Sequence, residues 1–122
     1  MRDHIVTIAL LLAIALSADA SEPLSMAVSP AHSFAPTNLT IRVHMEPDAR
    51  NRAFEVVADS GAYYRSSRIQ LDGTESPATV SFAFRDVPGG NYDVRGALLD
   101  SSGRERAVVF KHIVVIDPTD AE

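Results

Sequence analysis

Apolar and polar residues alternate along most of this chain. In LTIRVHME, Leu39, Ile41, Val43 and Met45 point one way, and Thr40, Arg42, His44 and Glu46 the other. Period-two alternation of this kind predicts a strand with one face on a core and one in water. The same pattern puts Phe54, Val56 and Ala58 together in AFEVVA, and Val80, Phe82 and Phe84 together in TVSFAFR. Leu24, Met26 and Val28 share a face in LSMAV, and YYRSSRIQLDG predicts a weaker strand that ends at an Asp72-Gly73 turn. SPAHSFAPT, with Pro30 and Pro36, predicts a loop, and PDARN and Asp59-Ser60-Gly61 predict turns. Tyr92, Val94, Gly96 and Leu98 share the next face, followed by a tight DSSG turn, Asp100 to Gly103. The last run groups Val108, Phe110, Val114 and Ile116 on a predicted core face. His112 falls on that same face, which predicts a β-bulge near Lys111–His112 or an exposed edge.

About seven short strands, with turn signals roughly every 8–12 residues, predict an all-β fold, a single antiparallel β-sandwich. Ahead of it stands Ile5 to Leu16, an unbroken apolar run. A spanning helix needs roughly 20 such residues, so this length suits the core of a signal peptide. Arg2 supplies the positive end, and Ala18 and Ala20 in SADA occupy the small-residue cleavage positions. The expected organisation is a signal peptide over 1–20, the sandwich over 21–117 and a polar tail over 118–122, with export to the periplasm or the extracellular space. The alternative is an uncleaved anchor.

With 122 residues the chain is one domain long. From Ser21 onward ten basic residues stand against fourteen acidic ones, a net charge of −4. This argues against a nucleic-acid partner and against adsorption to anionic lipid, both of which need a basic surface. There is no cysteine, so the domain holds together by its apolar core without disulfides. Ten arginines against one lysine is the bias of a GC-rich bacterial genome.

DVPGGNYDV resembles the tyrosine corner of immunoglobulin-like sandwiches. Pro88 and Gly90 sit in the turn, Tyr92 begins the strand, and Val94 stands where antibody domains have a cysteine. From Pro23 to Ile116 the chain thus resembles a disulfide-free immunoglobulin-like or fibronectin-III-like sandwich of exported bacterial proteins. The resemblance implies that the Tyr92 hydroxyl reaches back to the chain a few residues upstream. It implies no activity, because this superfold carries many.

No G-x-S-x-G, H-E-x-x-H or P-loop occurs. His32, His44 and His112 follow no metal-ligand spacing, and the aspartates Asp48, Asp59, Asp72, Asp86, Asp100 and Asp117 are spread over turns, where such side chains bond their own backbone. Asn38 to Thr40 is a formal glycosylation sequon inside a predicted strand. The best candidate for recognition is GAYYRSSR, with Tyr63, Tyr64, Arg65 and Arg68, because tyrosine and arginine dominate binding hot spots. Arg50 and Arg52 form a second, smaller cationic spot. The resulting expectation is a non-catalytic, cofactor-free exported binding or accessory module whose partner is another protein of the envelope or the extracellular space. One alternative is a copper-type metal-handling sandwich using His32, His44 or His112. Another is a structural subunit assembling by strand pairing through LSMAV or VVFKHIVVI.

Overall fold

The computed structural model describes residues 22–118; the expected signal peptide and the last four residues of the tail lie outside the described residues. Strand β3 (Thr37–Met45) shows how the fold is built. Leu39, Ile41, Val43 and Met45 are buried and the residues between them are exposed. It lies between β1 (Leu24–Ser29) and β6 (Thr79–Val87) in a three-stranded antiparallel sheet. The second sheet has five strands, in the order β2 (His32–Phe34), β8 (Glu105–Ile116), β7 (Gly90–Leu99), β4 (Ala53–Asp59) and β5 (Tyr64–Gln70). The two sheets bury one core in which Phe54, Leu39, Ile41, Val56, Leu98 and Ile113 are fully enclosed. The all-β sandwich expected from the alternation is the fold observed.

Three details differ from the expected pattern. The proline-flanked loop contains a strand, β2, which pairs parallel to β8 with His32 beside Val114 and Phe34 beside Ile116. The peptide bonds before Pro30 and Pro36, which bracket it, are cis. The core face of β8 is also the opposite of the one expected. Ala107, Val109, Ile113 and Val115 pack inward, while Val108 and Phe110 are exposed. Both alternations of this strand are apolar, so period two alone did not select a face. His112 decides it, because the outward register leaves the imidazole in solvent. Finally, the register shift lies not at Lys111–His112 but between Leu98 and Leu99, where Leu98 pairs with Ala107 and Leu99 with Glu105.

Tyr92 is wholly buried, and its hydroxyl donates a 2.7 Å hydrogen bond to the Pro88 carbonyl. Burial pushes its pKa up, against hydrogen bonding from Ser60. Gly90 starts the strand in a tight space, since a Cβ there would lie 3.0 Å from the Ser60 Cβ.

Candidate functional site

The segment from Tyr63 to Arg68 is divided by the pleat of β5. Tyr63, just before the strand, packs edge-on against Tyr92 at 6.2 Å and belongs to the core margin. The Arg65 guanidinium lies 5.3 Å over the Phe84 ring and donates to the Arg85 carbonyl at 2.8 Å, closing the gap between the two sheets. Tyr64 and Arg68 point outward; Tyr64 is 63% exposed, and Arg68 stands 3.9 Å from Glu55. The four side chains therefore do not form one surface. Two are placed structurally and two face solvent.

Arg68 does join another cationic residue. The β4–β5 hairpin pairs Ala53 with Gln70 and Glu55 with Arg68, which brings the start of β4 against the end of β5. The β7–β8 turn closes over the same corner. Together they form a cleft of about 450 Å³ lined by Arg52, Arg68, Gln70, Asp100, Ser101 and Gly103. Arg52 is fixed from both sides of its backbone: its N–H donates to the Leu99 carbonyl and its carbonyl accepts from the Leu71 N–H, each at 2.9 Å. Among the described residues no hydrogen bond or ion pair engages its guanidinium. The carboxylate in the lining, Asp100, is already occupied. Its Oδ1 accepts from the Ser102 hydroxyl at 2.6 Å and from the backbone N–H groups of Ser102 and Arg104. The Ser102 hydroxyl first, and then the Arg104 N–H, hold this carboxyl below its ordinary value. Gly103 completes the turn at φ +84°, a conformation that costs glycine little.

The second cationic spot is also divided. Arg50 is locked onto Asp48, Nε to Oδ1 at 3.1 Å and Nη2 to Oδ2 at 2.9 Å. Arg106, on β8, reaches the same carboxylate at 3.1 Å and also binds the Asn51 side-chain oxygen. The hydrogen bonds of Arg50 first, and then the charge of Arg106, hold the Asp48 carboxyl far below the usual carboxylate range. The cluster ties the β3–β4 turn to β8 and leaves Arg52 to face the cleft. No motif marks this site. Only the actual hairpin register reveals it: Asp59 pairs with Tyr64, which sets Ala53 opposite Gln70.

No protein-family profile matches the chain, and no curated protein matches it. Among solved structures it is similar to a superoxide reductase (neelaredoxin) from Ignicoccus hospitalis, with a TM-score of 0.60, 13% sequence identity, and coverage of 78% of this chain and 81% of that one. At this identity the likeness is one of fold. It replaces the family resemblance drawn from Pro88, Gly90 and Tyr92: the solved neighbour is a superoxide reductase, not an immunoglobulin-like or fibronectin-III-like module. With it fall the expectations of a non-catalytic accessory module and of a chain that is not an enzyme, because a sandwich of this fold is found in an enzyme; at this identity it assigns no activity to this chain.

Reducing a substrate takes a redox-active group that the side chains must hold. The described residues do not fit a resident metal centre. The chain has no cysteine, and among the described residues no group of three or more His, Cys, Asp or Glu is placed to bind a metal ion. His32 lies on β2, His44 on the outer face of the three-stranded sheet near Thr79, and His112 on β8 beside Asp93 at 3.2 Å. Among the described residues, no helix is long and apolar enough to cross a membrane.

Proposed function

We propose that this chain binds a small anionic ligand, one carrying a carboxylate or phosphate group, in the Arg52–Arg68 cleft. The observation that carries the reading is the Arg52 guanidinium, which lines the cleft and is engaged by no partner among the described residues. Guanidinium groups match carboxylate and phosphate oxygens two at a time, and Arg68, only loosely paired with Glu55, is free to turn toward the same ligand. The cleft is large enough for a metabolite-sized molecule. Asp100, held ionised by its own turn, is a negative charge at the cleft that the two guanidinium groups must outweigh. The superoxide reductase of similar fold acts, by its name, on a small anion as well, and the sign of that charge is the part of its chemistry these residues match. Export fits the reading, with Ile5 to Leu16 and the SADA site supporting a cleaved signal peptide.

Isothermal titration with inorganic phosphate, citrate and glucose 6-phosphate tests this. We expect saturable binding to at least one anion, weakened about tenfold or more in Arg52→Ala, as loss of a charge-assisted pair of about 1.5–3 kcal/mol requires. Absence of heat with all three at millimolar concentration, or unchanged affinity in Arg52→Ala, contradicts the reading. N-terminal sequencing of the protein recovered from its host checks export, with Ser21 as the expected first residue.

A further inference from the structure

Along β8 the outer face of the five-stranded sheet carries a row of apolar side chains. Val108, Phe110, Val114 and Ile116 all point outward, and Phe34 of β2 stands beside Ile116. Of the four large apolar side chains exposed among the described residues, three lie here: Phe34 and Phe110, each 62% exposed, and Val108. An apolar row of this length on a water-facing surface marks a contact site. The adjoining strand β7 supplies charges of both signs. Arg95 is paired with Phe110, with its guanidinium 5.7 Å from the ring and in an ion pair with Glu105 of its own chain, and Asp93 is paired with His112.

We propose that a second copy of this chain docks on this row, sheet face on sheet face, about a two-fold axis. The axis crosses the strands midway between the Arg95–Phe110 and Asp93–His112 pairs. That placement is the one in which the face complements itself. Arg95 of each copy meets Asp93 of the other, Phe110 meets His112, and Val108 meets Val114. Every contact occurs twice, as a two-fold interface demands. The area suits a weak dimer. β8 and β7 face the partner over about 27 Å of strand, β4 only from Glu55 to Asp59 and β2 only over its three residues, which at about 4.8 Å per strand gives about 400 Å² per copy, or about 800 Å² in total, the size of a transient interface. Pairing along the part of β8 that the short β2 leaves uncovered is disfavoured by the charge of Lys111 there. The outer face of the three-stranded sheet, lined by Ser25, Thr40, Arg42, His44 and Ser81, offers no such row.

Sedimentation equilibrium of the purified protein from about 1 to 300 µM tests the proposal, with circular dichroism melts confirming that each variant folds. The proposal expects a dimer that Phe110→Asp weakens at least about tenfold and Thr40→Asp leaves unchanged. Arg95→Glu and Asp93→Arg should each weaken it alone. Mixing those two variants should restore it, because each acidic side chain of one copy then meets a basic side chain of the other across the axis. A monomer at every concentration, a dimer that survives Phe110→Asp, or folded Arg95→Glu and Asp93→Arg proteins that fail to associate on mixing would each overturn it.

Discussion

The outer faces of the two sheets differ although their inner faces are built alike. Both sheets turn alternate apolar residues into the same core. The three-stranded sheet then shows solvent mostly small polar residues, Ser25, Thr40 and Ser81, with Arg42 and His44 between them. The five-stranded sheet instead shows Phe34, Phe110 and Tyr64 outward, buries a second apolar cluster of Ala53, Ala97 and Leu99, and carries the Arg52–Arg68 cleft at one corner. Folding requires one apolar face per sheet. The second apolar and cationic face of the larger sheet exceeds that requirement, and the candidate functions of this chain gather there.

Substitutions should separate the shared core from the two surfaces. The largest effect is expected inside: Phe54→Ala, which empties a fully buried position against Phe82, should cost about 3–5 kcal/mol in denaturant unfolding. Tyr92→Phe leaves the ring and removes its bond to Pro88, so about 1–2 kcal/mol is expected from the same measurement. The Asp48 cluster produces a pH-dependent effect. Its carboxyl is held below the unfolded value of about 4, so the stabilisation is fully present above that pH and is lost progressively as the pH falls below it toward the lowered folded-state value. Stability curves of the parent and Asp48→Ala should therefore differ at neutral pH and converge on acidification; a constant gap down to about pH 2 would exclude the assignment. The smallest effect belongs to the plain surface. Arg42→Ala should change neither anion affinity nor, beyond about 0.5 kcal/mol, the unfolding free energy. A clear loss of anion binding in that variant would remove the distinction between the faces.

How far the sequence disclosed this arrangement depended on whether one or both faces of a strand are apolar. In Leu39 to Met45 only one alternation is hydrophobic, so the strand and its buried face were both legible. In Val108 to Ile116 both are, and the inward set was legible only through the polarity of His112. The three residues of β2 are too few to show a period, and their neighbouring prolines resemble loop punctuation. The cleft was half legible. Arg52 and Arg68 each stood out as cations, but in separate segments, and only the pairing of Ala53 with Gln70 unites them. Tyr63 and Arg65 carried the residue types of a contact surface, while the pleat turned both toward the core margin.

The most direct test of the account is amide chemical-shift mapping of the isotope-labelled protein during titration with inorganic phosphate and citrate. The account predicts saturable shifts confined to one corner, at Arg52, Arg68, Gln70, Ser101 and Gly103, with Thr40, Arg42 and Ser81 unmoved. Shifts absent from that corner, or spread equally over both outer faces, would contradict it.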